Sequence, residues 1–268
     1  MNTVEQKQVH IKIMSDIHQK GEEVEWLFWV GSAGAFDERY KKVTRAFAKL
    51  LAYADVNFAI LGAEESDSGD VAKRTGNEML FQMQAITNVE VLNSYGINKI
   101  VTCDPHDFNI LQNEYPEFGG KYTVYHHTQL IVELIRKNKI TIPQSDDDLG
   151  KTIVFHDPCY LGRGNGEYNA PRFILDSLPY KRVEMPRHKS SSLCCGAGGG
   201  QMFKESEKGD KEVYEERSNE AINTGAGILA TACPFCMLMF SDGIKLKDMD
   251  DSIEVKDIAE ILCDHLGL

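Results

Sequence analysis

Short apolar runs alternate along this chain with stretches of helical periodicity. The runs at 24–32 (VEWLFWVGS), 57–62 (NFAILG), 97–104 (INKIVTCD) and 121–128 (KYTVYHHT) have the length and composition of buried strands. Between them apolar positions recur at helical spacing over 36–54, over 71–95 with a break expected near Asn88, along HDFNILQNEYPEF up to Gly119-Gly120, and along QLIVELIRKNK. The order β-α-β-α-β-α-β-α predicts a parallel sheet with helices on its faces. Residues 1–24 read as a weakly ordered lead-in with a helix over Ile11–His18.

A second series follows. KTIVFHD (151–157) is a predicted strand, NAPRFILDSL a helix with Pro171 in its first turn, and YKRVEMP a strand. Residues 201–224 predict one long charged helix, and GILATAC (227–233) a strand. CMLMFSDGIKL reads as a helix, and IEVKDIAEILCDHLGL as a strand and helix. The expected organisation is a lead-in at 1–24, one α/β unit at 25–137, a polar linker at 138–150 and a second α/β unit at 151–268. The fold class is two tandem, pseudo-symmetric Rossmann-like α/β halves with mostly parallel sheets.

The halves share a frame. The first carries Ser32, then 34 residues, Asp67-Ser68-Gly69, and further on Asp104-Pro105-His106-Asp107. The second carries Cys159, then 34 residues, Cys194-Cys195-Gly196, and further on Cys233-Pro234-Phe235-Cys236. Equal first gaps and second gaps differing by two residues read as a tandem duplication.

Charge narrows the function classes. The 268 residues carry a net charge of −12 and no basic run, which argues against nucleic acid. No window of 18 consecutive apolar residues encodes a membrane span, and the polar N-terminus lacks the apolar stretch of a signal peptide. Seven cysteines, two of them adjacent, in such a chain point to a reducing compartment, here cytoplasmic, and to metal binding over structural disulfides.

Five of those cysteines fall in the second half: Cys159, Cys194, Cys195, Cys233 and Cys236. Soft thiolates select iron–sulfur clusters, zinc or copper(I). Zinc closes its shell with four ligands and would leave one cysteine over, and an ordinary cubane also uses four. Five suit a larger or opened cluster. The glycines of Gly196–Gly200 would let backbone approach such a cluster closely; a phosphate loop is the weaker reading, because they lack the strand and GxGxxG frame. CPFC between a strand and a helix also fits a thioredoxin-type pair, with the helix N-terminus favouring a thiolate at Cys233.

The C-x34-CCG-x36-CPFC pattern resembles the cysteine-rich CCG domain of heterodisulfide reductase B- and D-type subunits and of glycolate oxidase and lactate-utilisation iron–sulfur subunits. The resemblance covers about residues 25–268. It implies a non-cubane [4Fe-4S] cluster on Cys159, Cys194, Cys195, Cys233 and Cys236. It implies either an oxidoreductase that cleaves a small disulfide or an electron-relay subunit, with other redox subunits, ferredoxin-like or flavoprotein, as partners. Relatives of the first half usually carry cysteines where this chain has Ser32, Asp67, Asp104 and Asp107, so that copy reads as a degenerate former site. It is empty and structural, or holds a hard cation on Asp67, Asp104 and Asp107, or reflects introduced substitutions. The alternative for the whole chain is a zinc protein or a thioredoxin-like CPFC protein without a cluster.

His156 is a candidate proton donor beside a cluster-bound substrate, or a structural histidine at a strand end. Arg163 and Arg217 either face the cluster's charge or are solvated. Cys103, Cys263, His126, His127 and His188 take structural roles.

Overall fold

A computed structural model describes residues 10–143, 150–205 and 208–268. The front half contains β1 (Lys12–Ile13), α1 (Met14–Gln19), β2 (Trp26–Trp29), α2 (Gly31–Phe36), α3 (Tyr40–Tyr53), β3 (Phe58–Ile60), α4 (Asp70–Arg74), α5 (Glu78–Ser94), β4 (Lys99–Thr102), α6 (Pro105–Asn113), β5 (Thr123–His126) and α7 (His127–Arg136). The back half contains β6 (Thr152–Phe155), a π turn at Tyr160–Gly164, α8 (Asn169–Asp176), β7 (Lys181–Val183), α9 (Val213–Ile222), β8 (Ile228–Thr231), α10 (Pro234–Leu246), β9 (Glu254–Asp257) and α11 (Ile258–His265).

Two sheets result, ordered β1-β3-β2-β4-β5 and β7-β6-β8-β9, and every neighbouring pair is parallel. The central strands are buried on both faces, as helix-covered parallel strands must be: Trp26–Trp29 are all buried, and Leu27 lies in register with Ile100. The fold is therefore α/β with two tandem parallel-sheet halves.

One large core joins the halves, with Phe47 and Leu51 of α3 in the same cluster as Ile258 and Leu262 of α11. Polar contacts lock the same join. Arg39 grips Glu260 with two nitrogens, at 2.6 and 2.9 Å, and donates to the Val255 carbonyl at 2.9 Å. His127 Nε2 meets Asp257 Oδ1 at 3.0 Å, both side chains being fully buried. His126, His127 and His188, which meets the Met185 carbonyl at 2.9 Å, thus sit in structural contacts.

Four local expectations are corrected. Residues 12–13 form an edge strand against Ala59 and Ile60, and the helix starts at Met14 instead of Ile11, because a strand two residues long leaves no periodicity to read. The 36–54 stretch becomes α2 and α3, parted where Asp37 accepts from the Tyr40 amide at 2.6 Å. The 71–95 stretch breaks at Gly76, where φ is +85°, and Asn77 caps α5; Asn88 instead lies inside α5, buried and bonded to the Asp67 carbonyl and Tyr115. The long helix over 201–224 shrinks to Val213–Ile222, since the polar KESEKGD stretch offers no apolar stripe to bury. Residues 206–207 of that expectation, 144–149 of the expected linker and 1–9 of the expected lead-in lie outside the described residues.

Candidate metal centre

Three loops at the carboxyl ends of the back sheet bring the five cysteines together, the usual place for a ligand in an open parallel sheet. β6 ends at Phe155 and runs through His156 and Asp157 to Cys159, which precedes the π turn. Asp157 anchors this loop. Its oxygens accept from Arg172 at 2.6 and 2.8 Å and from the Lys189 amide at 2.7 Å, tying it to the loop that leads into Cys194-Cys195. β8 ends at Thr231, and Cys233 is the N-cap of α10 with Cys236 in its first turn.

The sulfurs form one linked run. Cys159 contacts Cys194, Cys194 contacts Cys195, Cys195 meets Cys236 at 3.3 Å, and Cys236 contacts Cys233. All are free thiols; Cys195, Cys233 and Cys236 are buried, and Cys159 and Cys194 form the more open end. Protonation is shared unevenly along the run. Hydrogen bonds from Cys159 and Cys195, with the Gly196 amide at 3.3 Å, hold Cys194 far below the ordinary thiol range, and the same bonds push Cys159 and Cys195 up. Burial would raise Cys233, but Cys236 and His106 bring it down to about 6. Five sulfurs in contact, some favouring the thiolate, make a donor set suited to a soft, positively charged group.

His156 and Arg217 close the back of the cage. Arg217 is fully buried and donates to His156 Nδ1 at 3.2 Å, the Ser192 hydroxyl at 3.1 Å and the Arg187 carbonyl at 2.7 Å, with Glu220 as its counter-ion. The solvated reading of Arg217 is therefore overturned: burying a guanidinium requires this full set of acceptors. Because a guanidinium only donates, His156 Nδ1 carries the lone pair and Nε2 the proton. Burial and the Arg217 charge bring His156 down to about 3, so the ring is neutral. Its Nε2 is buried without a hydrogen-bond partner, and a ring nitrogen lies within 4.8 Å of the Cys195 and Cys236 sulfurs. Arg163 donates to the Ser192 carbonyl in the loop leading to Cys194.

The glycine stretch is a tight turn, with φ of +94°, +70° and +75° at Gly196, Gly199 and Gly200. A Cβ on Gly200 would stand 2.5 Å from Thr75, the C-cap of α4, so the loop closes against the front half. It follows no strand, so the phosphate-loop reading finds no support.

Ser32, Asp67, Asp104 and Asp107, which the duplication register sets against cysteines, lie at the matching end of the front sheet. Ser32 donates to Asp67 at 2.6 Å, and Asp67 accepts from the Gly69 amide at 2.8 Å. Asp107 accepts from the Trp29 indole at 3.2 Å; burial lifts it to about 7 against a hydrogen bond from Ser68. Asp104 caps α6 and is pushed well up by burial and by Asp107. The trio of Asp67, Asp104 and Asp107, one alternative for this site, is not among the compact donor groups of the described residues; Asp67 accepts from the Gly69 amide, Asp107 from Trp29 and Asp104 from the His106 amide. Glu65 reaches into the same end, accepting from the Val30 and Gly31 amides at 3.1 and 2.6 Å.

One contact was not expected. His106 reaches out of the front half to Cys233, and Asp104, His106 and Cys233 place donor atoms within 4.8 Å of one another. The duplication register held the clue, since it sets His106 opposite Phe235.

A duplicated α/β protein with a cysteine cage at the end of its second sheet is the class these features define. The chain belongs to the cysteine-rich CCG domain family, which it matches over residues 26–111 and again over 153–241. It is 44% identical over 253 residues to the probable iron–sulfur-binding oxidoreductase FadF of Bacillus subtilis, covering 94% of this chain and 35% of that protein. It is 39% identical to the EtfAB:quinone oxidoreductase of Syntrophomonas wolfei, covering 91% and 35%. It is 38% identical to a dihydromethanophenazine:CoB–CoM heterodisulfide reductase subunit of Methanosarcina barkeri, covering 85% and 57%. The chain thus spans about a third to just over half of these relatives. Among the described residues no helix is long and apolar enough to cross a membrane.

Proposed function

We propose that this chain is an iron–sulfur electron-transfer unit that holds one [4Fe-4S] cluster, of the non-cubane kind, on Cys159, Cys194, Cys195, Cys233 and Cys236. The carrying observation is the run of five sulfurs from three loops, linked from Cys159 through Cys194, Cys195 and Cys236 to Cys233. Such a cluster, when bound, takes up and passes single electrons.

The surrounding residues have roles that fit this reading. The Gly196 amide donates to the Cys194 sulfur. Hydrogen bonds to thiolate sulfur stabilise the more reduced state. The His156 Nε2–H, fixed by Arg217 and otherwise unpartnered, is a further donor on a ring with a nitrogen within 4.8 Å of the Cys195 and Cys236 sulfurs. A neutral imidazole with so low a pKa is a poor proton source, so its environment favours orientation over the proton-donor role. Cys233 and Cys236 are each about 1–2% exposed, which argues against a thioredoxin-type pair whose attacking sulfur must meet a protein disulfide.

The relatives are named as oxidoreductases and reductase subunits, which supports other redox proteins as the source and sink of electrons; ferredoxin-like or flavoprotein subunits are the partners this reading assigns. A small disulfide is the substrate class this reading favours. Its cleavage takes two electrons from the partner and two protons, and yields two thiols. The open end at Cys159 and Cys194 is the side from which it would approach.

Anaerobic reconstitution tests the proposal. Brown protein with equal iron and sulfide, four of each per chain, and a paramagnetic signal on one-electron reduction or oxidation is expected. Colourless protein retaining a single zinc would overturn it.

A further inference from the structure

We infer that His106 is a positioning residue for Cys233, supplied by the front repeat to the cysteine cage of the back repeat. The inference rests on the cluster reading above and adds a residue from outside the five-cysteine motif.

The geometry carries it. His106 Nδ1 lies 2.8 Å from Asp70 Oδ2, and Asp70 is in turn held by Arg74 Nε at 3.1 Å. A carboxylate can only accept, so Nδ1 donates to Asp70 and leaves the second ring nitrogen for Cys233, whose sulfur lies within 4.8 Å of a His106 nitrogen. The ring cannot swing away. It stacks on Tyr160 with centroids 4.1 Å apart and planes at 26°, and meets the edge of Phe235 at 4.8 Å and 78°. Gly198 passes over its Cε1, where a Cβ would stand at 3.9 Å.

The arrangement is that of a histidine between a carboxylate and a metal ligand, in which the carboxylate fixes the ring and the ring fixes the ligand. A carboxylate and a thiolate both only accept, so a ring held between them carries a proton on each nitrogen, and its second N–H draws electron density from the sulfur and favours the reduced state of whatever the sulfur holds. Cys233 also stands at the N-cap position of α10, and the helix N-terminus acts in the same direction. The front repeat, with Ser32, Asp67, Asp104 and Asp107 in place of thiols, thus still acts on the electron-transfer site. It does so from the motif position where the back repeat has Phe235.

His106→Phe is the test, because it copies the ring that the duplicate already carries and keeps the stacking. Compared anaerobically with the wild type, it is expected to hold the same iron and sulfide but to show a more negative midpoint potential and a changed paramagnetic spectrum. Asp70→Asn is expected to shift the potential in the same direction by less, and His106→Gln, which retains an N–H, to return part of the shift. A merely structural role would lower stability without moving the potential or responding to glutamine. An unchanged potential and spectrum in His106→Phe would overturn the inference, and so would loss of iron, which would make His106 a ligand. If the wild type takes up no iron, the cluster reading fails and the same variants are compared after cobalt(II) loading. A sulfur-to-cobalt band shift and roughly tenfold weaker binding in His106→Phe would still support the contact, and unchanged bands and affinity would overturn it.

Discussion

His106 and Phe235 occupy the same place in the two repeats and pack edge to face on each other, ring centroids 4.8 Å apart at 78°. The two motif loops therefore face one another across the join. The same join holds the α3–α11 core and the His127–Asp257 contact. A front half fixed this way sets the position of every group it presents to the cysteine cage.

The cysteines are expected to divide sharply by function. Cys195→Ala removes the sulfur that touches both Cys194 and Cys236, and reconstituted protein should lose most of its iron. Cys263→Ser changes a buried thiol on α11 whose neighbour is the Leu268 carbonyl, at 3.6 Å, and should keep full iron at a small cost in stability. Iron and sulfide per chain, measured on both variants in parallel, check this. Full iron in Cys195→Ala would count against the ligand set.

Asp107 gives the cluster-free protein a pH dependence. Its carboxyl is raised from 3.8 to about 7 by burial, so the folded chain keeps a proton there that the unfolded chain has already released. A raised acid stabilises the fold below its unfolded value, and that contribution is lost as pH climbs toward 7, at no more than about 1.4 kcal/mol per unit. Asp107→Asn can still accept from Trp29 and has no proton to lose. Its stability relative to the wild type should rise from pH 4 to 7 and level off above. Urea midpoints at four pH values measure the difference, and parallel curves for the two proteins would refute it.

Much of this was legible in the chain. The apolar runs gave the strands because parallel strands buried on both faces are continuous hydrophobic segments. The register of Ser32, Asp67 and Asp104 against Cys159, Cys194 and Cys233 gave the duplication. What sequence could not give was contact across the halves. Nothing local distinguishes the buried Arg217 from a surface arginine on a charged helix, and nothing in DPHD says that His106 points at a sulfur more than 120 residues away. Boundaries set by side-chain caps, such as Asn77, were also hidden, because periodicity alone ran through them.

Arg217 is expected to be the most costly polar residue to remove. Arg217→Met leaves the Arg187 carbonyl, Ser192 Oγ and His156 Nδ1 without their donor and Glu220 without its ion pair. Stripping one partner from a buried charged set costs on the order of 3 kcal/mol. His156 is then free to change tautomer, so reconstituted Arg217→Met should also show an altered midpoint potential. Denaturant unfolding and a redox titration on the same sample separate the two effects, and a variant as stable as the wild type would show that the network carries little.

Gly243 sets how closely α10 lies on α9, and through α10 it sets where Cys233 and Cys236 stand. A Cβ there would fall 2.0 Å from Ser218 Oγ, 2.9 Å from Ser218 Cβ and 3.3 Å from Tyr214 Cδ2. Alanine is favoured over glycine inside a helix by about 1 kcal/mol. Overpacking a close contact costs about 1–3 kcal/mol, so Gly243→Ala should be destabilising on balance. Relief requires α10 to move, and its first turn carries two of the five sulfurs, so iron occupancy should fall along with stability. Ser218 Oγ is buried without a hydrogen-bond partner, so Ser218→Ala alone should be neutral or slightly stabilising. Combined with Gly243→Ala it removes the 2.0 Å overlap but not the 2.9 Å one, and should recover part of both losses. A Gly243→Ala protein more stable than the wild type, with full iron, would show that α9 and α10 have slack and that the cage does not depend on their spacing.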